Sequence, residues 1–123
     1  MTEEFQSSKP IYMQIFDRIV INIVRGHQKF GEKLPSVREM AVQMGVNPNT
    51  IQRTYSELER VNIVETRRGQ GTFVVENPGL MEEMRHSLQT EVMATFVQKM
   101  EEVGISRDQM MIRLQQYLEG DQK

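Results

Sequence analysis

The sequence predicts a mainly α fold carrying one small β-hairpin, arranged as a head over residues 10–76 and a helical pair over residues 77–120. Three observations carry this. Ser36–Arg60 reads as two short helices joined by a tight turn. Two β-prone runs flanking a glycine-rich loop follow it directly. Beyond residue 78, apolar positions recur at helical spacing with no period-two alternation.

Residues 1–8 show no periodicity and read as a mobile lead-in. Pro10 opens a helix running to about Arg25, where Gly26 ends it. Ile11, Ile15, Ile19 and Ile23 form one apolar row, and Tyr12, Phe16, Val20 and Val24 a second beside it. So broad an apolar face calls for burial on more than one side. Its polar face, with Asp17, Arg18, Asn22 and Arg25, is too thin and mixed for a membrane-surface helix. Residues 27–35 form a connector, with Phe30 and Leu34 expected to anchor it in the core.

Ser36 with Glu39 makes a capping box, in which each side chain satisfies an orphan backbone N–H at a helix start. Val37, Met40, Ala41 and Met44 then share one helical face. Gly45 supplies the positive φ that stops this helix. Asn47 caps the next helix, and Pro48 fits its first turn, where a missing N–H is harmless. Ile51, Tyr55, Leu58 and Val61 give that helix its buried stripe. Ala41 is small where the second helix must cross, and Ile51 is apolar where the wedge must close, as a helix-turn-helix requires. The opposite face carries Asn49, Thr50, Gln52, Arg53 and Ser56, a set suited to base edges and phosphates.

Ile63–Thr66 and Thr72–Val75 are the β-prone runs, and residues 67–71 between them are expected to form a five-residue hairpin loop. A hairpin in this position makes the whole a winged helix-turn-helix. Arg67 and Arg68 offer charge for phosphates or the narrow minor groove. Gly69 and Gly71 allow positive φ and close backbone approach. No third glycine or following helix turns this G-x-G into a dinucleotide fingerprint.

A long helix follows over residues 79–103, with Met81, Met84, Leu88, Val92, Phe96 and Met100 in a stripe widened by Met93 and Val97. Gly104 fits a Schellman ending with Ile105 against Met100. Ser106 and Gln109 suggest another capping box, and Met110, Leu114, Tyr117 and Leu118 mark the last helix. A hairpin of about 40 residues cannot bury both stripes alone. The expected remedy is a two-fold dimer packed as a helical bundle. Met84, Leu88, Val92, Phe96, Met100, Met110, Leu114 and Leu118 are the expected dimerisation residues. The alternative is a hairpin folded back on its own head.

The totals narrow the function. Of 123 residues, 38% are apolar and 26% charged, as in a globular protein. No apolar run approaches the roughly 18 residues of a membrane span, and the first ten residues do not read as a signal peptide. The absence of cysteine excludes disulfides and thiolate metal sites and fits a cytoplasmic location. The two histidines, His27 and His86, have no ligand spacing, so neither metal nor cofactor is expected. No nucleophile with a base, and no phosphate-cradling loop, suggests an enzyme. The net charge of −2 hides an asymmetry: residues 1–33 and 34–75 each carry five basic and four acidic side chains, whereas residues 76–123 carry five and nine. Any nucleic-acid binding must therefore rest on a few well-placed arginines and backbone N–H groups.

The chain resembles the GntR family of bacterial transcription regulators. The resemblance lies in Leu34–Ala41, Gly45–Ile51, Tyr55–Glu59 and Gly69–Val74, within a unit spanning residues 10–75. It implies a winged helix-turn-helix followed by a two-helix dimerisation hairpin, and a homodimeric repressor of a near-palindromic operator on double-stranded DNA. Arg38 resembles the family's phosphate-contacting arginine. Asn49, Thr50, Gln52 and Arg53 match the major-groove segment and Gly69 the wing-tip glycine of the minor groove; Asn47 at the helix start and Arg67 and Arg68 in the wing are expected DNA contacts beside them. Asn47-Pro48 stands where many members have Ser-Arg, which leaves direct readout more dependent on Gln52 and Arg53. This variant, with its short C-terminal part, is similar to the YtrA-like subfamily, whose resemblance also implies transporter genes as targets. Two alternatives stay open. The exposed helix could meet a protein instead of DNA. Regulation could involve a small effector beside Phe96 and the methionines, or abundance alone.

Overall fold

A computed structural model describes residues 9–120, so the reading of residues 1–8 lies outside the described residues. The element order is α1 (Ile11–Val24), α2 (Val37–Met44), α3 (Pro48–Arg60), β1 (Val64–Arg67), β2 (Gly71–Val74), α4 (Pro78–Glu102) and α5 (Arg107–Leu118). The chain divides into two compact units, one through Arg85 and one from His86.

In the first unit α3 is the hub, packed by α1 on one side and α2 on another, with β1 leaving its far end. The core gathers Ile15, Ile19 and Val20 from α1, Met40 and Ala41 from α2, Ile51 and Leu58 from α3, and Ile63, Val64 and Val74 around the wing. Each fully buried isoleucine or leucine contributes about 2 kcal/mol relative to exposure. Of the predicted stripes, Val37, Met44 and Val61 are only half-buried, because they lie at helix ends. Thr54, absent from the predicted stripe, is 0% exposed. Its hydroxyl lies 2.9 Å from the Thr50 carbonyl and 3.2 Å from that of Tyr12, so its burial leaves no polar atom orphaned.

The local signals of the turn are realised. The Ser36 N–H donates to Glu39 Oε1 at 2.9 Å, and the Glu39 N–H donates to Ser36 Oγ at 3.1 Å. Gly45 has φ of +70°, and the Asn49 N–H donates to Asn47 Oδ1 at 2.7 Å.

The wing differs from the prediction in two respects. β1 and β2 pair antiparallel with Arg67 opposite Gly71, so the loop is three residues, Arg68–Gln70, and not five. The Gln70 N–H donates to the Arg67 carbonyl at 2.9 Å and closes it. The connector also supplies a third edge. Lys33 bridges Phe73, Gly31 and Leu34 donate to the Val74 and Thr72 carbonyls, and Val74 donates to Glu32, at 2.8–2.9 Å. This pairing fixes the connector by its backbone. Leu34 is buried, but Phe30 is 40% exposed and does not anchor it as expected.

The first turns of α4 complete this unit. Met81 is buried, and Arg85 Nη2 donates to the Val24 carbonyl at 2.8 Å, satisfying an orphan group at the C-terminal end of α1.

In the second unit α4 ends as the sequence predicts. Gly104 has φ of +87°. The Ile105 N–H donates to Met100 and the Gly104 N–H to Glu101, at 2.9 and 3.0 Å, the paired bonds of a Schellman motif. The predicted capping box at Ser106 is not formed: its side chain makes no cap bond, and α5 starts on backbone bonds to the Ser106 carbonyl. Met110 is buried and Phe96, Val97 and Met100 are half-buried, as are Met84, before the boundary, and Leu88. Val92, Met93, Leu114, Tyr117 and Leu118 remain exposed, Val92 to 68% and Leu118 to 73%.

Candidate nucleic-acid interface

The start of α3 is rigid because Asn47 caps it and Pro48 occupies its first turn. The buried stripe of Ile51, Tyr55 and Leu58 then orients the helix so that Asn49, Gln52, Arg53 and Ser56 face outward, with Thr50 half-buried at the edge. Tyr55 locks α3 to the connector, its hydroxyl donating to the Pro35 carbonyl at 2.7 Å. Burial raises the Tyr55 phenol well above its usual range, and the Glu39 charge adds to this, so it stays a donor.

The arginines fall into two groups. Arg38, on the exposed first turn of α2, and Arg68, at the wing tip, make no ion pair or hydrogen bond among the described residues. Their charge is available to a ligand. Arg53 and Arg67 are held. Arg67 donates to Glu65 Oε2 at 2.8 Å, and its guanidinium carbon lies 4.2 Å from the Phe73 ring centroid. Within the wing it is thus a brace as well as a charge, which the local sequence did not disclose. Arg53 stacks on Tyr12, with 3.9 Å between guanidinium carbon and ring centroid. Arg60 grips Glu57 with contacts of 2.9–3.2 Å. That hydrogen bonding holds the Glu57 carboxyl below its ordinary range and raises the Arg60 guanidinium.

Gly69 sits at the tip with φ of +75° and open space where a Cβ would stand. Gly71 is different. At φ of +126°, a Cβ there would lie 2.5 Å from Lys33 Cε. The Lys33 side chain therefore runs across the glycine, and it carries no ion pair among the described residues. Sequence reasoning passed over Lys33 because only the backbone pairing of the connector brings it to the wing.

Among the described residues, no cluster of His, Cys, Asp or Glu could hold a metal ion, and no helix is long and apolar enough to cross a membrane. Short polar groups and arginines on a protruding helix, beside a hairpin with a glycine tip, define a winged-helix nucleic-acid-binding protein.

Residues 11–74 match the model of the bacterial regulatory proteins of the gntR family, and the chain belongs to that family. It is 53% identical over 120 residues to an uncharacterised HTH-type transcriptional regulator, YhcF, of Bacillus subtilis, covering 98% of this chain and 99% of that one. It is 50% identical over 72 residues to the HTH-type transcriptional repressor YtrA of the same organism, covering 58% of this chain and 55% of YtrA. Among solved structures, a GntR family transcriptional regulator from Listeria monocytogenes is similar with a TM-score of 0.76 and 38% identity, over 91% of this chain and 98% of that one. The DNA-binding domain of AraR in complex with operator ORX1 is similar with a TM-score of 0.56 and 29% identity, over 60% of this chain and 96% of that one. The winged helix-turn-helix is thereby established, and the chain is a DNA-binding transcription regulator, in a family of regulators rather than enzymes.

Proposed function

We propose that this regulator is a cytoplasmic homodimeric repressor acting on a near-palindromic operator, with transporter genes among its targets. The head would be residues 10–76 and the dimerising pair residues 77–120. The observation that carries the DNA-binding mode is the polar face of α3, which the described residues leave exposed while Asn47 and Pro48 fix the start of the helix. Asn47, Asn49, Thr50, Gln52 and Arg53 would enter the major groove. Arg38 and Lys33 would meet phosphates, and Arg68 and Gly69 the minor groove, with Arg67 stiffening the wing. The operator complex of the AraR domain supports this docking, and the repressor name of YtrA supports the sign of regulation. The exposed Val92, Leu114 and Leu118, with the half-buried Met84, Leu88, Phe96 and Met100 beside them, support dimerisation through this face, whereas Met110 is already buried within its own chain and would back the contact from behind.

Selection of duplexes from a random library by the full chain, followed by footprinting, tests the reading. An enriched inverted repeat with half-sites about one helical turn apart is expected. Failure to enrich any sequence, with no dependence of binding on salt, would favour a protein partner for α3 and sink it. Within that experiment Arg53→Ala is expected to cost about 1–3 kcal/mol of operator affinity, and less on random DNA.

A further inference from the structure

Tyr12 opens α1, some forty residues before α3, yet its ring lies against Arg53, 3.9 Å from the guanidinium carbon to the ring centroid. Its backbone is held in place as well, since the buried Thr54 hydroxyl lies 3.2 Å from the Tyr12 carbonyl. Glu57 is the helical neighbour one turn after Arg53 and the natural competitor for its charge. Arg60 occupies both oxygens of that carboxylate. Glu57 still feels the Arg53 charge, but no hydrogen bond or ion pair joins the two among the described residues, and the face of Arg53 meets the ring. An aromatic ring engages the flat face of a guanidinium and leaves its in-plane N–H fork free. That fork is the part a guanine edge or a phosphate requires.

We propose that Tyr12 is a positioning residue for operator recognition: it fixes the plane of the Arg53 guanidinium before DNA arrives. The inference rests on the reading of Arg53 as a DNA contact. It makes the start of α1, which need not touch a base, a determinant of selectivity. Its basis is the loss of side-chain freedom before binding, which lowers the entropy cost of ordering a long side chain on the duplex.

The test is a double-mutant cycle on the full chain with the duplex enriched by wild-type selection, reading dissociation constants by fluorescence anisotropy and folding by thermal melts. Tyr12→Leu is expected to weaken binding about three- to fivefold, and Tyr12→Phe, which keeps the ring, to restore binding to within about twofold of wild type. In the Arg53→Ala background Tyr12→Leu is expected to add nothing, because the partner is gone. Equal weakening with and without Arg53, or a Tyr12→Phe variant as weak as Tyr12→Leu, overturns the proposal while the role of Arg53 stands. An Arg53→Ala single variant that binds like wild type overturns both.

Discussion

Ser36 and Glu39 close the start of α2 by serving each other's orphan groups. Their bonds sit beside Leu34 and Pro35, the connector segment that leads from the wing edge into α2. Ser36→Ala is expected to cost about 1 kcal/mol of stability in urea or thermal melts. The Ser36 backbone N–H, with its hydroxyl second, holds the Glu39 carboxyl below its ordinary range. A carboxylate with a lowered folded pKa adds stability in full above its unfolded value, and loses it as pH falls through the folded one. The stability gap between wild type and Glu39→Gln should therefore hold at neutral pH and close as acid carries the protein below the ordinary carboxylate range. A gap that persists there would assign the bond to something other than the ionised side chain.

The wing shows how an element depends on a segment distant in sequence. Gly69 and Gly71 both have positive φ, but only Gly71 has the Lys33 side chain lying over it. Gly69→Ala should cost about 1–2 kcal/mol from backbone strain alone. Gly71→Ala should cost more in a thermal melt, because φ of +126° lies beyond the left-handed region that alanine can reach, and it should also weaken DNA binding, because the flexible end of Lys33 must leave its track. If the two alanine variants bind DNA alike, Lys33 has no part in the interface. The same contrast explains which features were legible in the sequence. The caps at Ser36 and Asn47, the left-handed Gly45 and the Schellman ending at Gly104 are closed within six residues, so short spacings encode them. The pairing of residues 31–34 with β2 joins positions about forty apart, and nothing in either stretch names its partner. The exposed Phe30, the Arg67 brace and the Tyr12–Arg53 stack escaped for the same reason. Thr54 escaped because a hydroxyl in an apolar stripe reads as polar until both of its carbonyl neighbours are known. Ser106 failed in the other direction: its spacing to Gln109 fits a capping box, yet the helix starts without one.

Charge divides the chain as plainly as folding does. The acidic excess lies beyond residue 75 in the sequence, while α4 and α5 hold a run of exposed apolar side chains, Leu118 among them. Leu118→Asp is expected to raise the dimer dissociation constant at least about tenfold in sedimentation equilibrium, because a carboxylate would have to be desolvated in an apolar contact. The melting of the head should be unaffected. A variant that remains dimeric would move the interface off that face of α5.

Lys33, Arg38 and Arg68, cations of the head that carry no ion pair among the described residues and that are proposed to meet phosphates or the minor groove, have a consequence for how such a regulator behaves as the ionic composition around it changes. Two copies would displace about six counterions from a duplex, so the slope of log K against log salt should lie near −5 instead of the −10 of a strongly basic repressor. Its affinity would then fall roughly a thousandfold for a fourfold rise in salt, against roughly a millionfold at a slope of −10, so an osmotic shock that strips highly cationic proteins from the chromosome would loosen this one far less.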